Sequence, residues 1–461
     1  MDVDSQHAAH LVGVCGAGMK ALAELLLQAN WSLTGSDLSP ANCSVQRLIE
    51  QGLGFHHGHR NNNVPDSAQC LVYSSAIPAG NPERLEAERR GLPQFSYSQM
   101  VGQLMRASTG VCIAGTHGKS TTTAMTACIL EAANRLSAAV VGAELCQRSR
   151  SGWNGAGDLF IVESCEFQRS FLDFSPRYAA ILCIEHDHFD CYSDFASLES
   201  AFRDYAGRTA ADGVLLVNDD CLVSRRVSAN ASTHAKRVSF GFNKTADWTA
   251  SGCERSVDGT RFTLSCHGEN VIDLQLMLHG KHNVCNGLAA AALCAEIGVS
   301  PEIIRESLAS FRGIRRRFEF VGEHHGVTLI DDYAHHPTAV KATLQTLRSV
   351  VGNRRVFCVF QPHQILRTIS LMNEFAASFT DADDVLLAPV FAARESVVDE
   401  PELVSLELAK RISSNGVPSR FFSSLDQIVT TLEDAARPGD VIVTMGAGDI
   451  DRIHHEFTRR V

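Results

Sequence analysis

The 461 residues carry 41 Lys and Arg against 52 Asp and Glu, a formal net charge of -11, with 45% hydrophobic and 20% charged residues. At about 150 residues per domain this length suits roughly three domains, and the composition is ordinary for a soluble globular chain, excluding disorder, collagen and small disulfide scaffolds. The acidic balance argues against a nucleic-acid partner, because phosphate tracks are held by clustered Lys and Arg, so an anionic substrate must be met locally.

Three successive α/β segments are predicted, each opening with an apolar strand that runs into a glycine-rich or charged turn and then a helix. In the first, a strand over residues 10–15 meets a turn with Gly13, Gly16 and Gly18. Met19, Leu22, Ala23 and Leu26 follow at the i, i+3, i+4, i+7 spacing of an amphipathic helix. Strands from Trp31 to Asp37 and over residues 70–74 complete half of a doubly wound sheet. The pattern restarts near residue 108 with a strand over 110–114, a turn over 115–120 and a helix over 121–131. Further strands are expected over 158–163, 178–184 and 213–217, then a small antiparallel annex over 236–276 and a long helix from His282 to Glu296. Pro301 is placed to open the next helix. The third segment follows Arg315-Arg316-Arg317, with strands over 327–330, 356–360, 385–387 and 441–444 and helices from Pro337 and Thr368. The expected boundaries are 1–107, 108–314 and 315–461.

Fifteen cysteines occur without a CxxC pair, the nearest two being Cys183 and Cys191. An odd count in a long chain that starts without a basic, apolar leader predicts the reducing cytoplasm, with most cysteines acting as small buried hydrophobes. No apolar run approaches the ~20 residues of a membrane helix, so no membrane insertion is expected.

The strongest chemical signal is Gly115-Thr116-His117-Gly118-Lys119-Ser120 between a strand and a helix. Its backbone N–H groups, the helix N-terminus and the Lys119 ammonium suit nucleotide phosphates, and the Ser120 hydroxyl suits Mg²⁺. Ile113 stands where the general GxxxxGK[ST] pattern has its first glycine. The turn Gly13-Val-Cys-Gly16-Ala-Gly18 has GxxGxG spacing, with Asp37 about 20 residues on where a carboxylate could meet ribose hydroxyls; plain helix packing explains it as well. Glu163, Glu166 and the run Glu185-His186-Asp187-His188-Phe189-Asp190 close neighbouring strands. Beside a phosphate loop they suit a magnesium pair; alternatives are a transition-metal site at His186 and His188 or a solvated acidic loop. In the third segment, Asp331-Asp332-Tyr333-Ala334-His335-His336-Pro337 and Gln361-Pro362-His363, with Arg367 beyond, mark one sheet edge as a cleft. Asn283 and Asn286 could read an adenine edge or cap their helix, and the arginine run could reach a phosphate or be a solvated face.

Taken in order, GxxGAGM, GTHGKS with threonines, ExxE with SFL downstream, IExDHxD, GKHNxxN, RRF, DDYAHHPT, QPH with RT, and TMGAGDI resemble the Mur ligases over nearly the whole chain. Within them the chain is most similar to the ligases that join L-alanine to UDP-N-acetylmuramate. A murein-peptide recycling ligase shares the DDYAHHPTA segment but fits the QPH and TMGAGDI stretches less well. The rival class is a P-loop ATPase or switch protein with no ligase substrate.

The resemblance implies an α/β chain of three domains. These are an N-terminal Rossmann-like UDP-binding domain, a central P-loop ATPase with a mostly parallel sheet, and a C-terminal Rossmann-like domain that swings in with the amino acid. It assigns ATP to Gly115, Thr116, His117, Gly118, Lys119, Ser120, Thr121, Asn283, Arg317 and Asp331, and magnesium to Ser120, Glu166 and His188. It assigns the UDP-sugar to Gly13, Ala17, Gly18, Met19, Asp37 and Ser75, and L-alanine to Tyr333, His335 and Arg367. Lys119, His188, His335 and Arg367 are the implied catalytic set, in a monomer or homodimer. Three departures stand out: Ser120 in place of the usual Thr, Cys165 and Gln168 in place of two acidic residues, and Gln364 in place of an arginine. The last removes a charge-assisted fork for the incoming carboxylate. No lysine lies between His188 and Lys236, where ligases adding later amino acids commonly carry a carbamylated one.

Overall fold

The computed structural model describes residues 7–256, 258–393, 395 and 401–460. They form three sheets. The first comprises β1 (Ala8–Val12), β2 (Ser32–Asp37), β3 (Gly54–His57), β4 (Cys70–Tyr73) and β5 (Gln94–Ser96), all parallel, in the order β3-β2-β1-β4-β5. Every residue of β1 is buried, as expected for a strand covered on both faces. The helix Ala17–Gln28 buries Met19, Leu22, Ala23 and Leu26, the periodic positions seen in the sequence.

The second sheet holds β6 (Thr109–Ala114), β7 (Leu136–Val140), β8 (Gly152–Asn154), β9 (Leu159–Ser164), β10 (Pro176–Ile181), β11 (Val214–Asn218), β12 (Lys236–Gly241), β13 (Trp248–Ser256), β14 (Gly259–Cys266) and β15 (Glu269–Leu276). Their order is β15-β14-β13-β12-β11-β10-β6-β9-β7-β8. From β13 to β7 neighbouring strands are parallel; β14, β15 and β8 pair antiparallel. The expected antiparallel annex is therefore an extension of this sheet, entered through the parallel strand β12. β6 lies between β10 and β9, with Ala114 level with Ile181 and Ser164. Three chain segments thus leave the sheet side by side at one edge.

The third sheet, β16 (Glu319–His324), β17 (Val327–Asp332), β18 (Val356–Phe360), β19 (Asp384–Leu387), β20 (Ser419–Phe421) and β21 (Val441–Met445), runs β16-β17-β21-β18-β19-β20 and is parallel except at β16. Alternation along β18 sends Val356, Cys358 and Phe360 into one core and Phe357 and Val359 into another, so both faces are covered.

The described residues divide into two compact units. The first holds those of Met1–His186, Asp194–Leu278 and Asn283–Arg312, and the second those of Asp187–Ser193, His279–His282 and Gly313–Val461. Within the first unit, helix Ala17–Gln28 is tied to β8: Glu24 accepts hydrogen bonds from the Ser151 N–H (2.8 Å), the Ser151 hydroxyl (3.0 Å) and the Gly152 N–H (2.7 Å).

All fifteen cysteines are free, but only four are buried and nine are half-buried, so the reading of most as core hydrophobes does not hold. No helix among the described residues is long and apolar enough to cross a membrane.

Candidate active site

β6 delivers the turn 115–120 to the edge of the second sheet. Gly118, the N-cap of helix Lys119–Ala132, stands at φ +82°, and a Cβ there would collide with the Asn286 carboxamide. Glycine is required twice over, by conformation and by space. The turn is fixed to the chain beyond β10: Thr116 N–H donates to the Cys183 carbonyl (2.7 Å), and the Thr116 hydroxyl accepts from Glu185 N–H (2.9 Å). Asn286 donates to Asn283 (3.4 Å), so the two amides predicted on one helix face pair with each other beside Gly118.

The Lys119 ammonium donates to Gly115 O (2.5 Å), Thr116 O (3.3 Å) and both oxygens of Glu166 (3.2 and 2.9 Å). Burial alone would lower its pKa, but the carboxylate of Glu166, helped by Glu163, outweighs burial and raises it. The group is a fixed positive charge inside the turn. Glu166 is aimed there by backbone that few residues adopt: Gln168 and Arg169 both have positive φ, held by Arg169 N–H to Glu166 O (2.9 Å) and Phe171 N–H to Cys165 O (3.1 Å). Glu163 accepts from Gly142 N–H (2.8 Å). Ser120 and Thr121 are buried at the start of the helix.

At the edge of the first sheet, Gly13 N–H and Val14 N–H donate to Ser36 O (2.8 and 3.1 Å). Asp37 accepts from Cys15 N–H (2.8 Å) with one oxygen, which braces the glycine turn, and from Ser39 N–H (2.9 Å) in its own loop with the other. Ala17 and Ser75 are exposed, Gly18 and Asp37 half-buried, and the Met19 side chain belongs to the core.

The second unit gathers the other predicted residues around β17. Asp331 receives Arg316 Nε (3.0 Å) and the Thr444 hydroxyl (2.7 Å); burial pushes it up to about 6 against the pull of Arg316. Asp332 accepts from Phe318 N–H and Ala334 N–H, both at 2.7 Å, and so shapes the chain on either side of Tyr333. The guanidinium of Arg317 lies over the Tyr333 ring, 5.1 Å from its centre. His335 Nδ1 is 2.8 Å from Tyr333 O, a contact that only an Nδ1–H can make as a hydrogen bond; Nε2 is left as an acceptor. Burial, with Arg367 nearby, holds His335 well below the ordinary imidazole range. Arg367 donates to Asp187 through Nε (2.7 Å) and Nη2 (2.6 Å), both side chains being almost wholly buried. Burial would raise the Asp187 pKa, but the Arg367 guanidinium holds it well below the carboxylate norm. His188 is in this unit at φ +56°. Gln364, also at positive φ and buried, donates to Asp190 (3.3 Å). Asp187 and Thr444 join the site beyond the residues singled out by the sequence; only the charge of Asp187 within the EHDH run points to a partner.

Family models match the chain in three consecutive stretches: Mur ligase family, catalytic domain over residues 8–109, Mur ligase middle domain over 113–294, and Mur ligase, glutamate ligase domain over 316–448. The chain belongs to the Mur ligase family. A UDP-N-acetylmuramate–L-alanine ligase of Salinibacter ruber is 37% identical over 451 residues, covering 97% of this chain and 94% of that one. One from Desulfitobacterium hafniense is 37% identical over 450 residues, covering 96% and 98%. Among solved structures, a UDP-N-acetylmuramate–alanine ligase from Thermotoga maritima superposes with TM-score 0.83 at 25% identity, covering 98% of each chain. A murein peptide ligase from Psychrobacter arcticus has TM-score 0.77 at 24% identity over 98% of each.

In this Mur ligase the oxygen donors of the first unit fit a hard divalent cation. Ser120 offers a hydroxyl directly after Lys119, and Glu166, beyond β9, brings carboxylate oxygens to the Lys119 ammonium, a donor set that suits a hard divalent cation. Gly118→Ala is expected to destabilise the fold by about 1–2 kcal/mol or more, because an L-residue is forced into left-handed backbone. It should also weaken nucleotide binding; thermal melts with and without ATP measure both effects.

Proposed function

We propose that this chain joins L-alanine to the muramoyl carboxyl group of UDP-N-acetylmuramate, with ATP cleaved to ADP and phosphate, as a cytoplasmic step of peptidoglycan precursor synthesis. The observation that carries the reading is the half-buried Lys119 ammonium inside the phosphate turn, held by the buried Glu166, in the same unit as the glycine turn braced by Asp37. Residues 1–107 would hold the UDP-sugar, 108–314 ATP, and 315–461 the amino acid and part of the nucleotide.

The muramoyl carboxylate must attack the γ-phosphorus although both are anionic, so catalysis consists mainly of positioning and charge cancellation. Lys119 supplies a fixed positive charge at the β and γ phosphates, and the backbone N–H groups of 115–118 supply the cradle. Magnesium, when bound at Ser120 and Glu166, neutralises phosphate charge; His188 is the further ligand that the family resemblance assigns. The attack yields an acyl phosphate and ADP. The L-alanine amine then adds to the carbonyl carbon, and the tetrahedral intermediate expels phosphate and leaves the amide. His335 would take the amine proton; in support, its Nδ1–H is committed to Tyr333 O and its neutral ring keeps Nε2 as acceptor. Asn283, Arg317 and Asp331 would contact the nucleotide, and Tyr333 and Arg367 the amino acid.

Phosphate release from ATP is expected to require both UDP-N-acetylmuramate and L-alanine. Release indifferent to both would make the protein an ATPase, and release requiring a muramyl-free peptide in place of L-alanine would favour a murein-peptide ligase. A panel with glycine and L-serine measures how Gln364 sets amino-acid choice.

A further inference from the structure

Helix Tyr97–Met105 opens with a capping box, the Ser96 hydroxyl accepting from Gln99 N–H while the Gln99 side chain accepts from Ser96 N–H. It is clamped to the segment that follows Glu166: the Ser98 hydroxyl donates to Asp173 (2.5 Å), and Gly102 lies against the Asp173 backbone so closely that a Cβ would not fit. This fixes its first residue. The Tyr97 ring rests on the glycine turn of the first sheet; a Cβ on Gly18 would fall 2.8 Å from the ring carbon bearing the hydroxyl. The same phenol feels the charge of Glu163 and the Cys165 thiol, the neighbours of Lys119. One half-buried aromatic side chain therefore touches the turn expected to hold the sugar nucleotide and lies within reach of the Glu163 charge beside the phosphate corner. Its hydroxyl has no hydrogen-bond partner among the described residues. Burial, reinforced by Glu163, pushes its pKa up, so it stays a proton donor at any working pH.

We propose that Tyr97 binds the sugar-acid substrate, its ring packed on the Gly18 turn and its hydroxyl donating a hydrogen bond to the muramoyl carboxylate. The chemistry fits the place. Beside Glu163 an incoming carboxylate needs a donor that adds no negative charge and leaves the Lys119 ammonium to the phosphates. A phenol at the end of a rigid helix provides it. This rests on the ligase reading above.

Tyr97→Phe keeps the ring and removes the donor, so it is expected to raise KM for UDP-N-acetylmuramate about tenfold, the scale of one hydrogen bond to a charged group. KM for ATP and L-alanine should stay within about twofold of wild type, and the melting temperature should be unchanged. Tyr97→Ala should raise the same KM further, and calorimetric titration with UDP-N-acetylmuramate alone should show the same weakening. An unchanged KM in Tyr97→Phe, or an equal rise in all three KM values with a lowered melting temperature, would overturn the assignment. Wild-type phosphate release that ignores UDP-N-acetylmuramate would instead defeat the ligase reading itself.

Discussion

Lys119→Ala is expected to lower the rate of amide formation about 10²- to 10³-fold, the scale for losing one preorganised charge contact at a developing anion. The ammonium lies within hydrogen-bond range of four oxygens, two in the turn and two on the Glu166 carboxylate, which is almost fully buried. Removing it also leaves Glu166 uncompensated, which costs about 3–5 kcal/mol of stability for a buried pair. The two effects separate in a second variant. Lys119→Ala combined with Glu166→Gln should regain most of the thermal stability and none of the rate, as measured by melting temperature and phosphate release. A folded Lys119→Ala enzyme of near-normal rate would remove this residue from the chemistry.

The second large effect is expected at Arg367, whose guanidinium is 2% exposed and whose partner Asp187 is 6% exposed. Arg367→Met strands a buried carboxylate and should destabilise the protein by about 3–5 kcal/mol. Its pH dependence is diagnostic. In the wild type the folded Asp187 pKa lies below the unfolded value, so its contribution is complete above about pH 4 and is lost as pH falls further. Without Arg367, burial dominates and the folded pKa lies above the unfolded one. The variant should then gain stability as pH falls through that folded value toward the unfolded one at about 4, opposite in sign to the wild type. Parallel melts from pH 7 to pH 3.5 on the two proteins measure the reversal.

Local chemistry made part of this readable in the sequence. The turn 115–120 announces itself because glycine, lysine and a hydroxyl must follow one another at a strand-to-helix corner, and the helix Ala17–Gln28 shows its buried face by spacing alone. Three-residue strands such as Gln94–Ser96 and Gly152–Asn154 are too short to display a period, so the sequence does not reveal them. The spacing of Asp37 suits a ribose ligand or plain helix packing, and in the structure both its oxygens accept backbone N–H groups, a duty invisible without the local geometry. Asp187 and Arg367 are 180 residues apart, and nothing in either neighbourhood names the other. Tyr97 is the sharpest case. An aromatic residue opening a helix reads as core, and only its seat on Gly18 gives it another meaning.

The path of one oxygen atom decides the central chemistry. With ¹⁸O in the muramoyl carboxylate of UDP-N-acetylmuramate, mass spectrometry of the phosphate released during a complete reaction should find one heavy oxygen per phosphate formed, carried over when the carboxylate attacks the γ-phosphorus and the amine later expels it. Phosphate that contains only solvent or ATP oxygen, formed while L-alanine is being consumed, would contradict the acyl-phosphate route and the role given to the phosphate turn.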